Sequence, residues 1–448
     1  MSGKKDAIQL SDHFTFGRLI RFTLPSIAMM IFSSIYGVVD GIFVSNYVGE
    51  TPFAALNLIM PYIMIFGAFG LMFGTGGSAL VAYTLGTGDR KKANEIFSLI
   101  AYLQIALGAL FGVSIFAFAE PAARLLGADE AMLPYCVLYA RVSALGTIPF
   151  ALQYVFQSFC ITAEKPQFGF YVTIAAGVTN MLLDWLFVGI LRWGLAGAAA
   201  ASVIGMAVGG LIPLVYFLRP NTSQLRLGRT GWHGRDLVKA MTNGASEFLS
   251  NISMSVVGML YNFQLMKYAG QSGVAAYGII MYTNFIFIGI FFGYAMGVAP
   301  VVSYHYGAQN EKELRNLFAR SMKMIISSSI VITALSILSA RVLAMVFTGV
   351  NENLLNMTVK AIRIYSVSYL LMGVSIFGSS FFTALNNGKV SALISFMRTL
   401  VLQVLFVMVL PKLFEINGIW ASIVVAEFCA VLITIACLVR NKEKYRYV

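Results

Sequence analysis

The chain has 448 residues, 58% of them hydrophobic and only 11% charged, with a mean hydropathy of +0.79. That composition lies far outside the range of water-soluble domains. The formal net charge of +12 would suit a nucleic-acid binder. However, its basic residues gather in polar connectors between long apolar stretches, so they read as membrane topology instead.

In chain order, the opening stretch (residues 1–14) is polar and lacks the short apolar core and small-residue cleavage site of a cleavable signal. Twelve apolar segments then follow. The first six are predicted as helices over 15–44, 52–83, 94–118, 131–159, 168–190 and 195–219. The second six run over 238–267, 274–304, 316–340, 354–383, 390–411 and 418–439. Each is long enough to cross a hydrocarbon core, which takes about 20 residues. Period-2 alternation is absent, so the spans are helices and not barrel strands. Pro25 and Pro61 fall inside the first two helices, where a missing backbone hydrogen bond permits a bend. An even count of spans puts both termini on one face. All but eight of the 31 basic residues lie on that face, the exceptions being Arg124, Arg141, Arg192, Lys267, Arg341, Lys360, Arg363 and Lys412. The basic face is expected to be cytoplasmic.

The chain also repeats itself. Tyr47 and Gly49 fall on Tyr268 and Gly270 (268 − 47 = 221), and the same offset carries Gly76, Val81, Tyr83 and Gly86 onto Gly297, Val302, Tyr304 and Gly307. Thr162, Ala163 and Gly197 fall in the same way on Thr383, Ala384 and Gly418. Six helices per repeat give both halves the same orientation. The predicted fold is therefore an all-α membrane protein, with 12 transmembrane helices in two six-helix halves related by a pseudo-two-fold along the membrane normal. The halves are read as 1–219 and 238–448, with 220–237 as a polar cytoplasmic linker.

Ionisable groups inside a span are costly, so they are candidates for function. Four acids qualify: Asp40, Asp184, Glu247 and Glu427. Asp40 and Asp184 lie at similar depth near the outer ends of helices one and five, and Asn180 sits one turn before Asp184 on the same face. With the Ser202 hydroxyl they would form an all-oxygen environment. That suits Na⁺ at Asp40, Asn180 and Asp184, and it equally suits protons, because apposed desolvated carboxylates hold protons tightly. The plainer alternatives are a polar cap near a helix end for Asp40 and an interhelical hydrogen bond for Asp184 with Asn180. The repeat does not duplicate these acids: Asp40 maps to Tyr261, Asn180 to Val401 and Asp184 to Leu405. In the second half, Arg398 is expected to pair with Glu427 or Glu247 as a buried ion pair. The competing reading has Glu247, Arg398 and Glu427, with Tyr36, lining a cavity for a cationic substrate.

Several function classes find no support. There is no phosphate-binding GxxxxGK[ST] loop and no TVGYG filter. His13, His233 and His305 are scattered, and no nucleophile is paired with a base, so no enzyme site is expected. Cys136, Cys160, Cys429 and Cys437 have no CxxC spacing and read as small hydrophobes.

Several segments, in order, resemble the multidrug and toxic compound extrusion (MATE) transporters over the whole chain. They are LPSIAMMIFSSIYGVVDGIFV (Leu24–Val44), LGTGDRKKAN (Leu85–Asn94), TAEKP (Thr162–Pro166), NMLLD (Asn180–Asp184), GAAAAS (Gly197–Ser202) and NGIWAS (Asn417–Ser422). The resemblance implies two six-helix lobes around a V-shaped cleft in the cell membrane. It also implies export of organic compounds in exchange for Na⁺ or H⁺, with no other cofactor. In relatives with a cation site in the first lobe, ligands come from positions matching Asp40, Asn180, Asp184 and Ser202, where Thr is usual at the last. The expected partners are small toxic organic molecules and lipid, with no nucleic acid, and the expected state is a monomer. A lipid-linked or glycolipid flippase of the same superfamily is the rival reading.

Overall fold

The structure, a computed structural model, describes residues 8–348 and 352–448, so half of the opening polar stretch (residues 1–7) lies outside the described residues. Among the described residues every regular element is helical. The first half holds α1 (Phe16–Tyr47), α2 (Glu50–Gly86), α3 (Arg90–Leu125), α4 (Leu133–Ala144), α5 (Thr147–Thr162), α6 (Pro166–Asp184) and α7 (Gly194–Leu218). Helix α6 runs on as a π-helix, Trp185–Ile190. The second half holds α8 (Gly234–Gly307), α9 (Glu311–Thr348), α10 (Glu352–Ser366), α11 (Tyr369–Ala384), α12 (Gly388–Phe396), α13 (Leu402–Val409) and α14 (Pro411–Tyr445). A π-helix, Met397–Val401, joins α12 to α13 as one span.

At 74 residues, α8 would be about 110 Å long at 1.5 Å per residue, several times the thickness of a hydrocarbon core. It is two spans that turn back at Gly270, where φ is 61° and ψ −154°. Only glycine adopts such a conformation cheaply. With α4–α5 and α10–α11 each forming one bent span, the described residues make twelve crossings in two six-helix lobes, as the sequence predicts.

The structure corrects the prediction in detail. Span four (131–159) and span ten (354–383) are not single helices: they bend by 59° and 47° at short breaks. Hydropathy stays high through both breaks, so composition does not reveal them. At the first, a Cβ on Gly146 would come 2.9 Å from Val203 Cγ2, so glycine lets α7 approach there. Several helices also start or end about a turn beyond their predicted limits. In α3 this happens because Asp89 caps the helix early by accepting from the Lys92 N–H at 2.9 Å.

The duplication reaches the turns. Positive φ values occur at Gly49 (99°) and Gly270 (61°), at Gly88 (88°) and Gln309 (54°), and at Gly194 (59°) and Glu415 (51°). Each pair is 221 apart (270 − 49 = 221), and the two span breaks, at Gly146 and Val367, keep the same spacing.

The lobes close on the face that carries the described ends of the chain. There Gly86 of α2 packs against the Tyr304 carbonyl, and Gly307 against the Tyr83 carbonyl, so closely that a Cβ on either would overlap the opposing oxygen. Gly76 and Gly244 make similar backbone-to-backbone contacts between α2 and the start of α8. Ser303 Oγ also donates to the Ala79 carbonyl at 2.5 Å. Further from this face, the Ser34 hydroxyl of α1 donates to the Phe285 carbonyl at 3.1 Å. The linker between the lobes is not slack. It lies along α3, where the Arg226 N–H donates to Asn94 Oδ1 (2.6 Å), the Gly228 N–H to Ser98 Oγ (3.0 Å), and Tyr102 to the Gly228 carbonyl (3.0 Å).

Candidate functional site

The core of the first lobe is split into two apolar clusters. One is built around Phe97, Phe156, Phe159 and Phe217, the other around Ile59, Ile115, Tyr139 and Leu195. A polar layer is positioned with them by α1, α4, α5 and α6. Tyr36 and Asp40 stand one turn apart on α1, and Asn180 and Asp184 one turn apart on α6. Gly177 brings the two helices together, since a Cβ there would meet Phe32 at 2.6 Å and Tyr36 at 3.0 Å.

The result is that Asp40 lies within hydrogen-bonding range of both Asp184 and Asn180. Asp184 is fully buried and Asn180 nearly so. Asp40 Oδ1, Asn180 Oδ1 and both Asp184 carboxyl oxygens have no hydrogen-bond partner. Buried polar atoms are nearly always satisfied, so four unpartnered oxygens in one polar layer set this place apart from the rest of the lobe. The groups that act on the two carboxyls are each other and Asn180, with no Lys or Arg among them. A proton or a hard monovalent cation such as Na⁺ would fit this set of donors. Asp184 is also the residue at which α6 becomes a π-helix, a local distortion frequent at functional positions.

Ser202 stands slightly apart. Its hydroxyl lies in range of the Tyr139 hydroxyl, which also reaches Ser143 and faces both aspartates. Tyr139 and Gln153 belong to this layer and were not singled out from the sequence. Gln153 lies in range of the Tyr36 hydroxyl. The available signal was the pair Gln153 and Gln157, two amides four residues apart in an otherwise apolar run. Both line a cavity of about 10 Å³ with Thr173, room for about one water.

The second lobe places the other candidates elsewhere. Arg398, on the second π-helix, bonds Glu427 through Nη1···Oε1 at 3.1 Å, and both side chains are buried. Glu247 faces Arg398 without a direct bond and is only half-buried. Glu427 Oε2 and Arg398 Nε are left unpartnered. Tyr36 is grouped with Asp40 and not with this trio. At the position equivalent to Asp40, Tyr261 bonds Ser422 (3.0 Å) and stacks on Tyr277, with ring centroids 5.0 Å apart and planes 2° from parallel.

Comparisons with known proteins agree with this architecture. The sequence profile of the MatE family matches twice, over residues 25–186 and 248–409. The two matches repeat at nearly the internal offset (248 − 25 = 223). The chain is 26% identical over 432 residues to the multidrug export protein MepA of Staphylococcus haemolyticus, covering 93% of this chain and 92% of the relative. It is 23% identical over 427 residues to MepA of Staphylococcus aureus, with the same coverage. Its fold is similar to that of a MATE protein crystallised with MaL6 (TM-score 0.93, 21% identity, 99% and 100% of the two chains). It is equally similar to the outward-facing conformation of a multidrug resistance MATE family transporter of the MOP superfamily (TM-score 0.93, 22% identity, 100% of both chains).

Proposed function

The chain belongs to the MatE family, and on that premise we propose that it is a secondary multidrug exporter. It exchanges organic compounds, often cationic and amphipathic, for H⁺ or Na⁺ by alternating access of its two lobes. The first lobe comprises residues 1–219, the linker 220–237 and the second lobe 238–448. It acts in the cell membrane with both termini in the cytoplasm, because the basic face is the one that carries them. The role is transport, with no catalytic step.

The observation that carries this reading is the carboxylate pair. Partly buried Asp40 and fully buried Asp184 are brought together with four unpartnered oxygens in one polar layer, and no Lys or Arg among the described residues acts on them. Leaving both ionised and unaccompanied there is unfavourable, so the pair takes up an ion. Asp40, Asn180 and Asp184 hold the ion. Ser202 supports it through Tyr139, and Tyr36 connects it to the α5 amides. Ion uptake from outside favours the state that releases cargo outward, and cargo bound from inside favours ion release. This coupling is a difference in affinity between states and is reciprocal.

In the second lobe Glu427 is fully buried and bonded to Arg398, which leaves half-buried Glu247 as the acid that can face a cationic cargo. The test is efflux of a fluorescent cation from proteoliposomes, with Na⁺ and pH gradients imposed separately. The parent protein should respond to at least one gradient, and Asp40→Asn and Asp184→Asn should not. Gradient-driven efflux of parental size in either variant would refute the site.

A further inference from the structure

The segment ahead of α1 is tied down at both ends. Leu10 and Phe14 are fully buried, and both belong to the large apolar cluster in which α1 residues Leu19, Phe22 and Met29 join the core of the second lobe. The Leu10 N–H donates to Glu164 Oε1 at 2.7 Å, and Gln224 Nε2 donates to the same oxygen at 2.9 Å. Glu164 lies in the turn after α5 and therefore belongs to the first lobe. Four residues further on, the Phe14 N–H donates to Glu313 Oε1 at 2.9 Å, and His13 Nδ1 meets Glu313 Oε2 at 2.6 Å. Asn316 Nδ2 donates to the Phe14 carbonyl at 2.9 Å and to Glu313 Oε1 at 2.8 Å. Glu313 and Asn316 lie in the first turns of α9, in the second lobe. Residues 8–14 thus bridge the lobes on the face where Gly86 and Gly307 close them.

Two features make the bridge detachable. Helix α1 has its own N-cap, with Thr15 accepting from the Arg18 N–H at 3.4 Å, so it need not unravel if the segment leaves. The segment forms no helix or strand of its own. Beneath it, buried His305 of α8 faces the backbone at Leu10 and Asp12. The two receptors are also unrepeated: the 221 offset carries Glu164 onto Leu385 and Lys92 onto Glu313.

We infer that residues 8–14 are a releasable latch across the lobes, with Glu313 as its catch. Opening of this face to receive cargo requires Glu313 and Asn316 to let go, while Leu10 stays with Glu164. This inference rests on the alternating-lobe reading above but not on the carboxylate pair. Bonds to a charged acceptor are the stronger ones. Glu313→Ala is therefore expected to raise the fraction of molecules open on this face by about tenfold.

The measurement is the distance distribution between spin labels on Lys91→Cys and Lys389→Cys, two exposed positions on this face in opposite lobes. It uses the full chain with Cys429→Ser and Cys437→Ser. An unchanged distribution in a Glu313→Ala protein that melts like its parent overturns the latch, provided the parent itself opens when cargo is supplied. A parent that never shows a second distance with cargo and gradient present overturns the alternating-lobe reading, and the latch with it. If Glu313→Ala is unstable, a second variant decides. His13→Cys and Asn316→Cys, joined by a short cleavable thiol cross-linker, should lose efflux and regain it on cleavage. Full efflux in the cross-linked protein overturns the latch.

Discussion

The two lobes share a scaffold down to the positions of their left-handed turns, yet they treat buried charge in opposite ways. In the first lobe, Asp40 and Asp184 meet with unpartnered oxygens between two separate apolar clusters. In the second, the equivalent of Asp40 lies within an extended apolar cluster, and a small separate cluster of Leu402, Ala426 and Ala430 flanks the equivalent of Asp184. Tyr261 occupies the place of Asp40, and the buried acid Glu427 has Arg398 beside it. One buried acid has its counter-charge within the protein, whereas the Asp40–Asp184 pair has none among the groups that act on it. On the function proposed above, the second copy is kept as a frame and the first carries the ion.

The comparison breaks most visibly at the Arg398–Glu427 pair. Glu427→Leu should destabilise the protein by about 3–5 kcal/mol by stranding a buried guanidinium, whereas Glu427→Leu with Arg398→Met should recover most of that loss. Thermal unfolding in detergent measures both. If the single variant is as stable as the parent, the pair is not the structural clasp described here.

The next effect concerns the ion. Replacing Asp40 by Tyr and Asp184 by Leu, the residues found at the equivalent places in the second lobe, should lower gradient-driven efflux by about a hundredfold. Tyr261→Phe should change it by less than about twofold. Initial rates in proteoliposomes decide, and equal losses in both lobes would erase the asymmetry.

A smaller effect is expected where the lobes meet. Gly307→Val forces a side chain against the Tyr83 carbonyl and should disfavour the closed face by about 1–3 kcal/mol. The spin-label distances report it, and a parental distribution would show that the contact is looser than it looks. The smallest effect belongs to Ser202. Ser202→Thr should be nearly silent. Ser202→Ala should raise the ion concentration for half-maximal efflux by about 2–10-fold, the worth of one neutral hydrogen bond. A larger shift would mean that the hydroxyl touches the ion directly.

Much of this was legible in the sequence, for identifiable reasons. The twelve spans follow from hydropathy, because lipid demands apolar helices whatever their packing. Asp40, Asn180 and Asp184 stand out because polar groups are rare in such runs, and their one-turn spacings already place them on common faces. The bends at Gly146 and Val367 stay hidden because a broken helix in lipid is as apolar as a straight one. Tyr139 escaped notice because a tyrosine in a membrane helix is ordinary until its hydroxyl is seen facing two acids. The latch residues escaped because Glu164 and Glu313 sit in polar turns, where a carboxylate attracts no attention.

The contact between Gly86 and Gly307 has a consequence for how such a molecule could arise. Both residues occupy the same place in their repeats and touch each other's lobe through matching carbonyls, so they straddle the pseudo-two-fold. In an ancestor assembled from two identical half-length chains, a single glycine would have made both contacts. Any change to it would have struck both sides of the seam at once. Fusing the halves into one gene uncouples the sides, so each can be altered without doubling the damage.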